Sequence, residues 1–301
     1  MLVYRLRFGW WNAALSPSAP QAKTKADKDT YQVVCEHINS LLQVYNCDFL
    51  ALCELSSADV AHIESNIDLD NFATIDLTDK VGRTRFDIMV IYNKRKIRAQ
   101  KNISIAKPMT DQIIKAAQLV DIENIDDGKK IHIYLCHWAS RLNGSGTEKR
   151  IASAQLVYSS AEKYMAADGD VIIIGDFNDN PYDLSLNKIL HASRCHDAVR
   201  AYPKEYFYNP FWRSIVSEQK YCHSTNSGTY RSGSHRYKEF QGTMWHSYDQ
   251  AIVSGSFVSN KYWHLNEYET KIVTYEAMLE SYEDSTHFID HLPIICEINR
   301  A

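Results

Sequence analysis

Polar residues end or interrupt apolar, strand-like runs at six places in this chain, and all of them are of types that bind metal ions or phosphate. The places are Asn12, Glu54, His137, Asp176 with Asn178, Asp249, and Asp290 with His291. Carboxylates are the ligands that a hard divalent cation prefers, while amides and imidazoles hydrogen-bond phosphate oxygens. Any one of these residues has an ordinary reading as a turn or surface residue. Together they predict a site that binds a metal ion and a phosphate group.

The run Val171–Pro181 is the clearest of the six places. Its first four residues are β-branched, which predicts a strand buried on both faces. Asp176, Asn178 and Asp179 follow at the carboxyl end of that strand, where a sheet commonly presents oxygen ligands. Taken alone, the segment fits an Asx-rich turn equally well. The other five places favour a site, and Asp179 and Asn180 are then expected to shape the turn.

The composition is that of a soluble globular protein, with 45% hydrophobic and 23% charged residues in a chain of 301. No apolar stretch approaches the ~20 residues that a membrane span needs, and Met1–Trp11 lacks the apolar core of a signal peptide. Seven cysteines without CxxC spacing favour reduced thiols and no structural zinc. We therefore expect a cytoplasmic protein without membrane partners. The net charge of −4 excludes a strongly basic nucleic-acid binder but leaves local patches open.

The chain reads as strands with a few helices, and no linker, repeat or low-complexity tract divides it. Helices are predicted after Asp27 or Asp29, after a cap at Ser56 or Ser57, at 147–167 and, briefly, at 184–190. Strands are predicted at 1–11, 48–55, 72–77, 86–92, 97–105, 116–122, 131–137, 171–174, 247–253, 271–275 and 292–298. The pattern predicts one domain, residues 1–301, in which stacked sheets are flanked by helices.

The ordered set of motifs resembles the endonuclease/exonuclease/phosphatase superfamily. That group includes pancreatic-type deoxyribonucleases, abasic-site endonucleases, deadenylases, inositol phosphatases and neutral sphingomyelinases. The motifs are Asn12, Cys53-Glu54, His137-Trp138-x-Ser140-Arg141, Gly175-Asp176-Phe177-Asn178-Asp179-x-Pro181, Asp249 and Ser285-x-x-x-x-Asp290-His291-Leu292-Pro293. The similarity runs from residue 6 to residue 298, and its two longest motifs are specific when they occur together and in this order.

The resemblance implies an α/β fold, a four-layer α/β/β/α sandwich of two packed, mainly antiparallel sheets flanked by helices. It also implies Mg²⁺ as the cofactor, with Mn²⁺ as a substitute. Glu54 would be the principal metal ligand, with Asn12 beside it and Asp290 as a further metal-linked carboxylate. Ala14 stands where abasic-site endonucleases carry an acid, and Cys53 where many members carry Gln. The first departure counts against a second ligand from the first strand and against close kinship with that branch.

The resemblance implies catalytic roles for five residues. His137 would hydrogen-bond the phosphate, and Asp176 and Asn178 would orient the attacking water and a phosphate oxygen. His291 would be held by Asp249. An Asp–His pair fixes the imidazole tautomer and suits either a base or a phosphate clamp, so whether Asp176 or the His291–Asp249 pair removes the proton stays open at this point.

Two basic segments bear on the substrate. Lys80–Lys101 has eight Lys or Arg against one acid, Asp87, which fits either a solvated hairpin or a phosphate-tracking surface. Lys220–Lys238 has no acid, four Lys or Arg and three tyrosines. Cations interleaved with aromatic rings suit a nucleic-acid strand, although a tyrosine-rich loop packed on the sandwich has the same composition.

From these segments and the histidine motif we expect Arg141, Tyr230 and Arg231 to contact the substrate. Arg150 is expected to be a solvated charge on a helix surface. The leading hypothesis is a Mg²⁺-dependent phosphodiesterase that hydrolyses nucleic acid, DNA above all, as an endonuclease by direct attack of water. The alternatives are a phosphatase or phosphodiesterase of a small phosphorylated molecule, such as an inositol phosphate, and an inactive binding module on the same scaffold.

Overall fold

The computed structural model describes residues 4–17, 28–67, 69–82, 84–109, 112–141, 146–217, 219–225, 230–237, 242–259, 261–283 and 289–300. Ser285, most of the loop at 16–28 and part of the segment Lys220–Lys238 lie outside these residues. No helix within the described ranges is long and apolar enough to cross a membrane.

The described residues form seventeen strands. In chain order they are β1 Arg5–Asn12, β2 Phe49–Cys53, β3 Phe72–Asp76, β4 Lys80–Val81, β5 Thr84–Arg85, β6 Met89–Asn93, β7 Ile97–Met109, β8 Gln112–Asn124, β9 Lys130–His137, β10 Asp170–Asp176, β11 Ala192–Ser193, β12 Phe207–Tyr208, β13 His235–Arg236, β14 Trp245–His246, β15 Asp249–Ser254, β16 Trp263–Ile272 and β17 Ile294–Arg300.

The helices are fewer and lie mainly between the long strands. They are α1 Lys28–Asn39, α2 Ser57–Glu64, α3 Gly146–Ala166, α4 His196–Ala201 and α5 Glu276–Glu283, with π-helical turns at Ser40–Val44 and Ser185–Ile189 and 3₁₀ turns at Pro210–Ile215, His223–Thr225 and Gly255–Val258. Ser56 caps α2 as predicted, because its hydroxyl accepts from the Asp59 N–H while the Asp59 carboxylate accepts from the Ser56 N–H.

Two large sheets carry most of the strands. The first has the order β16-β17-β1-β2-β6-β3 and the second β11-β12-β15-β10-β9-β8-β7. The pairs β1–β2, β9–β10 and β11–β12 are parallel, whereas the remaining pairs in these sheets are antiparallel. The α/β fold of mixed, mainly antiparallel sheets is thereby confirmed.

The core has three apolar layers, which give the four-layer arrangement. Facing sides of the two sheets meet in the middle layer, where Phe8 and Val90 pack with Ile172 and Val253. α1, α2 and α5 cover the outer face of the first sheet. α3 covers the outer face of the second sheet, with Val157 and other small or branched residues. Each helix therefore buries one apolar stripe against a sheet.

The sequence pattern identified only the end of β16. A strand was predicted at 271–275, but the structure has it at Trp263–Ile272. The strand lies at the edge of its sheet, and its register shifts between Asn266 and Lys271. Edge strands with a bulge keep polar residues on both faces and so lose the alternation by which strands are recognised.

Candidate active site

The predicted site residues come together because four strands from both sheets end at the same edge of the sandwich. Asp176, the last residue of β10, pairs in register with His137 on β9 and with Asp249 on β15. In the other sheet Asn12 ends β1 opposite Cys53, so that Glu54 follows directly. The middle apolar layer fixes the distance between these two groups.

The backbone at these strand ends has one position where a side chain would clash and two non-glycine residues with positive φ. A Cβ on Gly175 would lie 2.0 Å from the carbonyl oxygen of Cys136, so only glycine allows β10 and β9 to approach there. Glu54 has φ of 61° and Asn178 has φ of 51°, both in the left-handed region that few non-glycine residues adopt. These turns direct both side chains toward the space between the sheets' ends.

His291 and Asp249 form the predicted pair. Nδ1 of His291 lies 2.7 Å from Oδ2 of Asp249, which also accepts a hydrogen bond from the hydroxyl of Ser234 at 2.6 Å. The other oxygen, Oδ1, accepts from the indole of Trp10 at 3.1 Å. Burial disfavours the charged imidazole, but Asp249 and Asp176 outweigh it and raise the pKa of His291 well above its usual value. The two carboxylates therefore favour the protonated form of this imidazole.

His137 has a partner that the sequence did not reveal. Its Nδ1 lies 3.0 Å from Oδ2 of Asp87, a side chain that is 1% exposed. Burial opposes the imidazolium, but Asp87 outweighs it and raises the pKa of His137 to about 9. Asp87 was noticed only as the single acid of a basic segment. The sequence does not reveal this pair, because Asp87 and His137 are far apart in the chain. Only the packing of β9 against the loop before β6 brings them together.

Replacing Asp87 by Asn is expected to lower the pKa of His137 from about 9 to about 6.5 or below. The reason is that burial of the ring lowers its pKa, and the Asp87 carboxylate would no longer offset this effect. The pKa is measurable by NMR titration of the ring protons. Asp121→Asn is the matched control, since Asp121 pairs with another imidazole, His132, at 2.7 Å. An unchanged His137 pKa in Asp87→Asn would show that this pair does not set the charge of His137.

Asp176 lies at the centre of the group. Its Oδ2 accepts from the Asn12 amide at 3.3 Å and lies 3.8 Å from Nε2 of His291, while its Oδ1 accepts from the Asn178 N–H at 2.9 Å. Burial raises the pKa of Asp176, against the opposing effect of His291. The Asn178 amide donates to the carbonyl of Trp138 at 3.1 Å, which anchors the loop after β10.

Glu54 and Asp290 provide oxygen donors on the opposite side of the group. The Glu54 side chain is 19% exposed and its Oε1 lies 3.7 Å from Nε2 of His137. Burial raises the pKa of Glu54 to about 7, and the nearby carboxylate of Asp290 adds to the effect. A divalent cation bound here would neutralise the buried negative charge. Carboxylate and amide oxygens are the donors that Mg²⁺ prefers. The residues present therefore fit the implied metal.

His235 is a further neighbour of the site that the sequence did not single out. Its ring lies 4.4 Å from that of His291, and its Nδ1 lies 2.8 Å from the carbonyl oxygen of Asp290. Burial and the His291 cation lower the pKa of His235 to about 4, so it is neutral. The only signal was its place within the basic and aromatic segment Lys220–Lys238.

Two arginines hold the loop after β10. Arg141 pairs with Asp179 at 2.7 Å and also with Asp183, and its Nε donates to the carbonyl of Asn178. The expectation for Arg150 was wrong: its side chain is 3% exposed and pairs with Asp179 at 2.8 Å. The burial of this arginine on the inner face of α3 could not be predicted from the sequence pattern, because its partner lies in a distant loop. Asp179 shapes the turn, as expected.

Tyr230 and Arg231 lie beside this group and not in it. The Arg231 guanidinium lies 5.9 Å from the ring of Trp245 and 4.0 Å from Oε1 of Glu283. Tyr230 lies 6.2 Å from the ring of Tyr221. Arg231 also lines a cleft of about 640 Å³ along β16, which none of the carboxylates and imidazoles described above lines. The substrate contacts of Tyr230, Arg231 and Arg141 stay predictions.

Acids from elsewhere in the chain pair with part of the basic segment Lys80–Lys101. Ion pairs join three of its cations to acids of other segments: Lys96 to Asp48 at 2.8 Å, Arg98 to Glu123 at 2.9 Å, and Lys101 to Asp79. These pairs favour the reading as a solvated hairpin over the reading as a phosphate-tracking surface.

Residues 17–287 match the sequence profile described as the Endonuclease/Exonuclease/phosphatase family. No curated protein matches the chain in sequence. Solved structures that share its fold include the following three. D. rerio TDP2 complexed with single strand DNA product is 14% identical, with a TM-score of 0.63 over 98% of this chain and 99% of that one. The human Nocturnin catalytic domain with bound sulfate anion is 12% identical, with a TM-score of 0.61 over 100% and 96%. The mannosyl-6-phosphatase of Bacteroides thetaiotaomicron is 16% identical, with a TM-score of 0.60 over 97% and 99%.

Proposed function

Since the chain belongs to the endonuclease/exonuclease/phosphatase family, whose members include metal-dependent phosphoesterases, we propose that it is a Mg²⁺-dependent endonuclease that hydrolyses phosphodiester bonds of DNA. The proposal combines two groups of side chains. The carboxylates and imidazoles at the strand ends suit hydrolysis of a phosphate ester. A neighbouring rim of cations and aromatic rings suits a polymeric substrate.

The rim is the observation that favours nucleic acid over a small ester. It consists of Tyr221, Tyr230, Arg231, Arg236 and Trp245. Arg236 and Trp245 pair in the β13–β14 hairpin, and Tyr221 is 68% exposed. Flat rings stack on bases, and arginines contact phosphates.

The rim is joined directly to the catalytic group. His235, which precedes Arg236, forms a β-bridge with His291. A strand whose bases stack on the rim would therefore have a phosphate near the imidazoles. D. rerio TDP2, which shares the fold, has been solved with a single strand DNA product, and this supports a nucleic-acid strand as the substrate.

The chemistry follows from the charges of the buried groups. The raised pKa values of His291 and His137 favour their protonated forms, which would hydrogen-bond phosphate oxygens. A protonated imidazole cannot accept a proton, so the Asp176 carboxylate is the group placed to accept one from the attacking water. Asn178, beside it, would orient a phosphate oxygen.

Glu54, with Asn12 and Asp290, would hold Mg²⁺. Bound there, the ion would neutralise charge on the phosphate oxygens. The Asn12 amide oxygen already accepts from the Ala14 N–H at 3.1 Å, and its NH₂ group donates to Asp176. Asn12 therefore also couples the metal side of the site to the proposed base.

The apparent affinity for Mg²⁺ is expected to fall about tenfold per pH unit below pH 7 and to level off above it. The reason is that the Glu54 carboxyl has a pKa of about 7 and must lose its proton to bind the ion. Calorimetric titrations at several pH values between about 5.5 and 8.5 would measure it. Glu54→Gln should bind weakly at every pH. An affinity of the wild type that does not change with pH would contradict the proposed ligand.

The function is tested by incubating the purified protein with supercoiled plasmid, single-stranded DNA, RNA and an inositol phosphate, each with Mg²⁺, Mn²⁺ or EDTA. We expect metal-dependent nicking of the plasmid, absent in Glu54→Ala and His291→Ala. Turnover of the small ester alone would replace the nuclease proposal by the phosphatase alternative. Binding of DNA without turnover of any substrate would favour the inactive binding module. Arg98→Ala, which removes a surface cation paired with Glu123, is the control and should cleave normally.

A further inference from the structure

His235, Asp290 and His291 form a second cluster of metal-ligating groups beside the oxygen donors around Glu54. One ligand atom from each of the three lies within 4.8 Å of the others. Nε2 of His291 is 4.0 Å from Oδ1 of Asp290, and the two imidazole rings are 4.4 Å apart. Two nitrogens and one carboxylate oxygen form a donor set different from that of a magnesium site.

Both imidazoles have the surroundings that metal-binding histidines require. Such a histidine uses one ring nitrogen for the ion and the other for a carboxylate or backbone carbonyl. Nδ1 of His291 is taken by the Asp249 carboxylate at 2.7 Å, and Nδ1 of His235 by the carbonyl oxygen of Asp290 at 2.8 Å. The hydrogen bond of His235 is made by Nδ1, so Nε2 is the nitrogen left for an ion, and the residue is only 8% exposed.

A neighbouring group is a poorer candidate for the same ion. Asp176, Asp249 and His291 also bring ligand atoms within 4.8 Å of one another. However, the Asp249 oxygens already accept from Trp10, Ser234 and His291. Asp249 therefore supports His291 from outside a metal site, and the open donors are on the side of His235.

We propose that His235, Asp290 and His291 bind a zinc-type cation, and that this ion excludes the phosphate group from His291. Imidazole nitrogens favour Zn²⁺ over Mg²⁺. Tetrahedral Zn²⁺ with bonds near 2.0–2.1 Å needs donors roughly 3.3 Å apart. The Asp290 side chain is 49% exposed and can move toward the ion. Three protein ligands leave a fourth position for water.

The binding itself does not depend on the proposed function, whereas the inhibition rests on it. Ions at Glu54 and at this cluster would both be close to Asp290. Zn²⁺ at His291 would occupy the nitrogen that is proposed to bind phosphate. The protein would then be active with Mg²⁺ and inhibited by Zn²⁺ at a site with its own ligands.

The test is a calorimetric titration of EDTA-treated, dialysed protein with Zn²⁺, alongside visible absorption with Co²⁺ as the probe of nitrogen coordination. We expect one Zn²⁺ per chain, and a loss of affinity of at least about 100-fold in His235→Asn, beyond the 10–100-fold typical of outer partners. Asn keeps a donor for the Asp290 carbonyl and removes Nε2. Asp290→Asn, at an exposed position, is the second variant should His235→Asn fail to fold, and it should lose affinity likewise.

Two controls separate this cluster from other sites. His132→Asn removes a histidine of another His–Asp pair and should leave Zn²⁺ affinity unchanged. Glu54→Gln should lose Mg²⁺ binding and keep Zn²⁺ binding. Equal Zn²⁺ affinity in the wild type and both cluster variants, or equal losses in His132→Asn, would overturn the proposal. Should the DNA assay fail while Zn²⁺ binds as expected, the proposed function falls and the metal site stands.

Discussion

Asp176→Asn is expected to lower kcat by about 10²–10⁴-fold, the range that a positioned base contributes. The exchange is nearly isosteric, so the contacts of this residue with Asn12 and with the Asn178 N–H can persist in part. What is lost is the capacity to accept a proton from water. Because the pKa values of both nearby imidazoles are raised, their protonated forms are favoured, and neither is expected to replace Asp176 as the base at neutral pH.

Steady-state kinetics on a DNA substrate would measure this loss, with KM expected within a few-fold of the wild type. Asn178→Ala is a useful comparison, because it removes a proposed phosphate contact and should raise KM as well. A kcat for Asp176→Asn within tenfold of the wild type would identify another base, and His291 would be the remaining choice. In that case kcat of the wild type should rise as the pH passes the His291 pKa.

His291→Gln is expected to lower kcat/KM by about 10²–10³-fold, as the loss of one donor to a developing charge does. It should also destabilise the fold by about 3–5 kcal/mol. The second effect arises because Asp249 is fully buried and would lose its cationic partner. Trp10 and Ser234 would continue to donate to Asp249, but neither of them carries a charge.

The double variant His291→Gln/Asp249→Asn separates the two effects. With both charges removed, most of the lost stability should return in urea unfolding, whereas activity should not. If the double variant is no more stable than His291→Gln, the penalty does not come from an uncompensated charge. Asp121→Asn, which leaves His132 without its acid, should cost less, because this pair is partly accessible to solvent, with side chains 15% and 21% exposed.

The fold and the central residues of the candidate site could be predicted because their signals lie within short stretches of the sequence. Each of Glu54, His137 and Asp176 follows or ends an apolar strand, and strand ends converge in a layered α/β fold. The order of these motifs then identified the family. The buried strands β2 and β10 were recognised for the same reason, since their residues are apolar throughout.

What could not be predicted depends on contacts between distant segments. Asp87 looks like one acid among cations until β9 places His137 3.0 Å away. His235 looks like one histidine of a polar loop until the β-bridge sets it against His291. Arg150 has the sequence surroundings of a surface residue, and its burial depends on the ion pair with Asp179 and on hydrogen bonds to the Ala139 carbonyl and the Thr147 hydroxyl. Periodicity carries no information on such partners.

The left-handed backbone at Glu54 and Asn178 lowers folding stability at two residues that are proposed to act in catalysis. Non-glycine residues in this conformation cost of order 1–3 kcal/mol each, and Glu54 adds a buried carboxylate whose pKa is raised to about 7. Glycine at position 54 would remove both costs together with the proposed metal ligand, so that variant would be the more stable protein. A duplicated gene freed from selection for hydrolysis should therefore drift away from Glu54 early. It should keep Gly175 much longer, because any side chain there would collide with Cys136.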